Sequence, residues 1–334
     1  MNIHKLNLKY NPFEILTLSA SDTNLVWAGM ELQKKLIKEV YKEGMNFNPR
    51  QVTLNWGQLG GGKTHAAYYF ERNISTILNI DDDKIFHVHV NIPEEGKDAN
   101  KGVIKNIFDN LSLRKIKQEI STIRKEIGKE KLFELINRKV KSETLSNAVL
   151  RLNEEIISIE LLQRFVFDGL SSAELKKLHL PRSLKSNEEY VTFLAAVLIA
   201  MTSGKDEKRV VLWIDEMESM VYYNSKQFRA VSQVFRGLID RVNEKLLIFF
   251  NFTLTDNELE TVRLLLGDAL WSRLNKKIRF EILSLDDAAV YCKDAINQAQ
   301  IDGSKKLSPF TNDSVEIILK TIPVIDLIPR EINR

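Results

Sequence analysis

Gly57-Gln58-Leu59-Gly60-Gly61-Gly62-Lys63-Thr64 follows directly on the apolar run Val52-Thr53-Leu54-Asn55-Trp56 and completes the spacing G-x-x-x-x-G-K-[ST]. The glycines let the backbone turn its N–H groups inward without Cβ obstruction. Lys63 offers a compact cation for β- and γ-phosphates, and the Thr64 hydroxyl is a ligand for Mg²⁺. A helix predicted to start here, through His65-Ala66-Ala67-Tyr68-Tyr69-Phe70, adds the positive end of its dipole beneath the phosphates. The nucleotide-binding set is therefore Gly57, Gly60, Gly61, Gly62, Lys63, Thr64 and His65. The alternative is a Gly-rich strand-to-helix turn, but a full match lodged between a strand-like and a helix-like run favours the phosphate reading.

A second element completes that reading. Arg209-Val210-Val211-Leu212-Trp213-Ile214-Asp215-Glu216 is an apolar run of strand length closed by two acids. Such a run reads as a strand covered on both faces of a parallel sheet. Asp215 at its C-terminal end is placed to hold the magnesium, and Glu216 to polarise the water that attacks a γ-phosphate. Alone, an apolar run ending in Asp-Glu is commonplace; beside the phosphate loop, one fold must bring both to the same end of the sheet.

Composition bounds the class. The chain has 334 residues, 44% of them hydrophobic, enough for about two domains. Its apolar runs stay short of the ~18 residues that span a bilayer, and Met1-Asn2-Ile3-His4-Lys5 lacks a secretory apolar segment, so the expectation is a cytoplasmic protein without membrane contact. The single cysteine, Cys292, excludes an internal disulfide and reads as a packed residue.

Along the chain, a helix is predicted over 22–42, capped within Ser21-Asp22-Thr23-Asn24. Strands are predicted over 52–56, 85–92, 245–253 and 277–283, with helices over 226–243 and 188–201. His87 and His89 share one strand face and read as ordinary strand residues, since no third ligand lies nearby. Between Pro93 and Arg209 the sequence is helix-like. Ile116, Ile120, Ile123 and Ile127 form a helical stripe. Residues 114–151 carry eleven Lys/Arg against five Glu, although the whole chain has a formal charge of only +3. That surplus either tracks a nucleic-acid backbone or forms the solvated face of a helical hairpin. Asn251 and Thr253, polar at the end of an apolar strand, either orient the attacking water or simply end the strand. Arg273, in Leu270-Trp271-Ser272-Arg273-Leu274, closes a helix ahead of the last strand.

The ordered set of phosphate loop, Asp-Glu strand, polar strand end, Ser272-Arg273-Leu274 and helical C-terminal region resembles the AAA+ ATPases. Within them it is most similar to the origin-recognition initiator group and the bacterial transposition and secretion-pathway ATPases. Ile328-Pro329-Arg330-Glu331-Ile332-Asn333-Arg334 is similar to their proline-arginine motif. The resemblance covers about residues 10–95 and 190–334. It implies an α/β P-loop NTPase fold, a three-layer parallel-sheet AAA+ core, over 51–283. A helical insertion at about 96–187, an N-terminal segment over 1–50 packing on the nucleotide site and a helical lid over 284–334 complete the division. It further implies an ATPase using ATP and Mg²⁺, with Lys63 and Thr64 on phosphate and metal, Asp215 at the metal and Glu216 on the water. Asn251 would be the first sensor with Thr253 in reserve, Arg273 a finger reaching a neighbouring subunit, and Arg330 the second sensor. Expected partners are further copies of the chain and DNA, or a protein in place of DNA. Two departures stand out: the insertion is long, and the chain stops where the last lid helix begins, without the initiators' winged-helix domain, so it is either a fragment or acts through partners.

Overall fold

A computed structural model of the chain describes residues 7–13, 25–46, 50–95, 98–152, 154, 157–177, 179–180, 182–254, 259–301 and 310–333. In chain order the elements are α1 (Glu31–Asn46), β1 (Gln51–Gly57), α2 (Lys63–Leu78), β2 (Ile85–Asn91) and α3 (Ala99–Leu111). Next come α4 (Leu113–Ile127), α5 (Lys129–Val140), α6 (Glu143–Arg151), α7 (Ile159–Gln163), α8 (Ser172–Lys177) and α9 (Asn187–Thr202). The remainder is β3 (Arg209–Asp215), α10 (Ser225–Arg241), β4 (Leu246–Thr253), α11 (Leu259–Trp271), β5 (Lys276–Phe280), α12 (Leu285–Ala299), α13 (Asn312–Leu319) and α14 (Pro329–Ile332).

The strands form one sheet, all parallel, in the order β2-β3-β4-β1-β5. The central strands β1, β3 and β4 are buried at every position except the last of β3 and β4. This is why their sequences are near-continuous apolar runs: both faces are covered. On one face Trp213, Leu247 and Phe249 meet Ile37, Tyr41, Ala66 and Phe70 of α1 and α2. Trp213 stacks on Phe249 with ring centroids 4.0 Å apart and donates its indole N–H to the Tyr41 hydroxyl at 3.2 Å. On the other face Leu212, Ile214, Ile248 and Phe250 pack against α3, α9 and α10. Residues 191–202 of α9 are all buried, as expected of a helix that is hydrophobic all round and lies between sheet and outer helices.

The segment between β2 and β3 is helical throughout its described elements, and its apolar residues join the core of the sheet face rather than forming a separate one. The predicted stripe is the buried side of α4: Ile116, Ile120 and Ile123 are buried, and Ile127 packs partly buried beside them. Several of the surplus cations bond inside the chain. Lys117 donates to the carbonyls of Glu154 and Ile157, Arg124 to that of Leu150, and Lys139 to Asn243 and Glu244.

Two boundaries differ from the sequence reading. The first helix begins at Glu31, not near Asp22. The reason is local: Gly29 and Met30 both take positive φ, which breaks a helix before it can run back through Leu25. The capping candidates at 21–24 lie outside the described residues. The last strand ends at Phe280, so Glu281, Ile282 and Leu283 leave the sheet; Leu283 instead donates its N–H to the Leu327 carbonyl and starts the lid.

The lid helices α12, α13 and α14 enclose a small core of Leu283, Ala288, Cys292, Val315, Leu319 and Leu327. Burial pushes the Cys292 thiol up to about 11, in keeping with a packed residue. Phe13 packs on this core, and Leu8 with Ile296 and Ala299. Lys9 donates to the Ala299 carbonyl at 2.7 Å and Ile301 to that of Asn7 at 3.0 Å, around an antiparallel bridge between Leu8 and Gln300. Residues 7–13 thus form a strap on the lid.

Candidate functional site

The site assembles where β1, β3 and β4 end and the lid comes down. β1 stops at Gly57, whose φ is +152° and whose place a side chain cannot take, since a Cβ there would lie 2.2 Å from the Phe280 carbonyl oxygen. The loop then turns and α2 starts at Lys63, with Gly62 as its N-cap. Lys63 is buried under the loop and donates to the carbonyls of Gly57 at 2.9 Å and Gln58 at 2.8 Å. Burial holds its pKa down at about 8; the carboxylates of Glu218 and Asp215 oppose that shift, and the Arg330 guanidinium adds to it.

Asp215 closes β3 on the same side. Its Oδ2 accepts the Thr64 hydroxyl at 2.6 Å and its Oδ1 accepts the Glu216 N–H at 3.0 Å, so the carboxylate is fixed through both oxygens. Glu216 occupies the left-handed region at φ 58° and starts a 3₁₀ turn over Met217–Tyr222. The residue is exposed, yet partial desolvation of its carboxyl group raises its pKa, and Asp215, Glu218 and Glu94 add to that.

The two polar candidates of β4 separate. Asn251 is fully buried in the sheet, where its Oδ1 accepts the Asn55 side-chain N–H at 2.9 Å across the pairing of β1 with β4. Thr253, paired with Gly57 in the same register, lines the cleft. His65 also lines it, but its ring is engaged: Nε2 donates to the Val26 carbonyl at 2.7 Å, pinning residues 25–30 to α2, and burial lowers its pKa.

The lid supplies the remaining wall. The Arg330 N–H meets the Gly60 carbonyl at 3.4 Å, and a Cβ on Gly60 would fall 2.6 Å from the Arg330 Cβ. The Arg330 side chain itself is exposed and lines a cleft of about 280 Å³ together with Tyr10, Val26, Trp27, Lys63 and Tyr291. Lid helix α12 grips the 25–30 segment through Asp294, which accepts the Gly29 N–H, and Gln298, which donates to the Trp27 carbonyl. Arg273 stands elsewhere. Its guanidinium makes a two-pronged pair with Asp240 of α10 at 2.8 and 3.0 Å and bonds the Ala269 carbonyl.

Sequence reasoning brought Lys63, Thr64, Asp215, Glu216 and Arg330 to one place, and the fold does the same. It missed Glu218, whose carboxylate accepts the Thr253 N–H at 3.1 Å, and Asn55, which holds Asn251. The signal for Glu218 was present as a third acid two residues beyond Glu216. It also missed the strap, whose residues carry no motif.

The donors suit a hard divalent ion. Thr64 Oγ1 and Asp215 Oδ2 are a hydroxyl and a carboxylate oxygen facing the same space, the few-ligand, oxygen-only arrangement that Mg²⁺ shares with phosphate oxygens. Among the described residues no cluster of three or more His, Cys, Asp or Glu side chains forms a metal site of another kind.

Parallel sheet, phosphate loop and acidic strand end define an α/β fold of the P-loop kind. Among solved structures it is similar to Drosophila ORC bound to DNA, at 12% identity and TM-score 0.49, over 96% of this chain and 56% of that one. It is also similar to Cdc6p from Pyrobaculum aerophilum, at 12% identity and TM-score 0.43, over 94% and 60%. The chain thus spans little more than half the length of either. No protein-family profile matches it, and no curated protein does. Among the described residues no helix is long and apolar enough to cross a membrane.

Proposed function

We propose that this chain binds and hydrolyses ATP, and that its nucleotide state governs assembly with further copies of itself and engagement of a partner. DNA is the leading partner, in a replication, transposition or anti-phage defence machine. The observation that carries the hydrolytic part is the 2.6 Å contact between the Thr64 hydroxyl and Asp215, made beneath a loop on which Arg330 is already docked. Lys63 binds the phosphates and Thr64 and Asp215 hold the magnesium, which when bound neutralises charge on the β- and γ-phosphate oxygens. Glu216 takes the proton from the attacking water, and its raised pKa suits that work. Arg330 closes the lid over the γ-phosphate, while Tyr10, Val26 and Trp27 line the same cleft.

A second reading, a nucleotide-gated switch for protein partners without DNA contact, draws support from the insertion, where Lys117, Arg124 and Lys139 are engaged inside the chain. Both readings require ATP turnover that Glu216→Gln abolishes while ATP binding persists; unchanged turnover in that variant would reassign the base. DNA affinity measured with ATP across a salt series separates the two. Binding that falls steeply and linearly on a logarithmic salt scale supports the first, and absence of binding at low salt supports the second.

A further inference from the structure

The last residues of β4 raise a question of partners. The β3 to β4 pairing runs from Val210 with Leu246 to Ile214 with Phe250, and stops there because β3 turns away at Asp215 into the 3₁₀ turn. β4 nevertheless continues to Thr253, paired on its other edge with β1. Successive residues of a parallel strand direct their backbone groups to opposite neighbours. Leu254 donates its N–H toward β1, to the Gly57 carbonyl at 2.9 Å, so the Thr253 N–H faces the side that β3 has left. Glu218 reaches back from the turn and accepts it at 3.1 Å. The turn that carries Glu218 is anchored by Met217 and Met220, both buried. A side-chain carboxylate therefore replaces a missing strand partner at the point where β4 borders the phosphate loop.

Resting on the hydrolytic reading above, we propose that Glu218 is a positioning residue of the phosphate site: by holding the Thr253 N–H it fixes the Thr253 side chain beside Gly57, where it faces the γ-phosphate and the attacking water. A plain strand cap would affect stability alone. A positioning role affects turnover, because small displacements of a group that aligns reactants are costly while ground-state binding through the loop stays intact.

The conservative variant separates these. Glu218→Gln keeps an oxygen to accept the Thr253 N–H, whereas Glu218→Ala removes it. For Glu218→Ala, kcat is expected to fall about tenfold or more with ATP affinity within about threefold of the parent, and Glu218→Gln is expected to recover most of that loss. Thr253→Val, which keeps the backbone N–H, should lower kcat comparably, and adding Glu218→Ala to it should cost little more. Parent turnover in Glu218→Ala overturns the proposal. So does a loss of kcat matched by a loss of ATP affinity, or a Glu218→Gln variant as slow as Glu218→Ala. Parent and Glu216→Gln are assayed alongside. If the parent binds ATP without turning it over, the hydrolytic reading fails on its own, and the ratio of affinities for ADP with aluminium fluoride and ADP alone decides the matter: Glu218→Ala should lose that preference and Glu218→Gln keep it. A parent that binds no nucleotide overturns both proposals.

Discussion

Replacing Lys63 by Met is expected to abolish ATP binding and to make the ligand-free chain more stable. The ammonium group sits in a buried position where its pKa is held at about 8, against an ordinary 10.5, chiefly by desolvation. Each tenfold drop in proton affinity corresponds to about 1.4 kcal/mol, so keeping this charge at neutral pH costs up to about 3 kcal/mol. The folded value lies below the unfolded one. Between about pH 8 and 10.5 the unfolded chain therefore binds more protons, and the parent gains stability as pH rises through that window; below pH 8 the penalty is fully present. Methionine is of similar length, carries no charge, and strands neither carbonyl. The Gly57 oxygen still accepts from Leu254 at 2.9 Å, and the Gln58 oxygen from Gly61 at 3.2 Å. Urea denaturation of parent and variant at pH 7 and near pH 10 checks this. Lys63→Met should exceed the parent by roughly 1 to 3 kcal/mol at pH 7, with the gap closing toward pH 10 as other alkaline titrations cancel in the difference. A variant less stable than the parent at pH 7, or a gap that ignores pH, refutes the reasoning.

Gly60→Ala places a β-carbon at φ +84°, a left-handed backbone that disfavours alanine by about 1–2 kcal/mol, and drives it against Arg330. ATP affinity by titration calorimetry should fall more than overall stability does; unchanged affinity would show that the lid's approach to the loop is irrelevant to binding. Arg273→Ala should remove activity without weakening ATP binding, because a finger supplied in trans contributes about 10³ to 10⁵ in rate. Mixing it with Lys63→Ala subunits should restore part of the hydrolysis, whereas no recovery, together with a monomeric ATP-bound protein by light scattering, leaves Arg273 as the partner of Asp240. Lowering the pH through the raised pKa of Glu216 should slow turnover of the parent, since the base is then protonated; a rate flat from neutral pH down to the ordinary carboxylate range counts against Glu216 as base.

What was legible in the sequence is what depends on local chemistry. The Gly57–Thr64 spacing can serve few purposes, and a run such as Val210-Val211-Leu212-Trp213-Ile214 has to be covered on both faces, so sheet, loop and the Thr64–Asp215 meeting followed. What depends on backbone conformation or on distant partners did not. Nothing in composition marks Gly29 and Met30 as a consecutive pair with positive φ, and so the first helix was drawn too long. Asn251 and Thr253 look alike in sequence; only the register with Asn55 and Gly57 sends one into the sheet and the other to the cleft. Nothing in the sequence says which acid Arg273 meets; only the fold brings Asp240 of α10 against it. Glu218 acquires a purpose only once β3 is seen to leave β4 before β4 ends.

The bridge between Leu8 and Gln300 also orders events during synthesis. A chain emerging from the ribosome can close its sheet as soon as β5 is out, because every strand and both covering layers lie within that length. The strap cannot dock then, since the segment that receives it, at the end of α12, is still enclosed in the ribosome. Contacts between residues so far apart in sequence form late and slowly. On this order a closed sheet and phosphate loop would precede the cleft wall formed by Tyr10, which comes only with the lid.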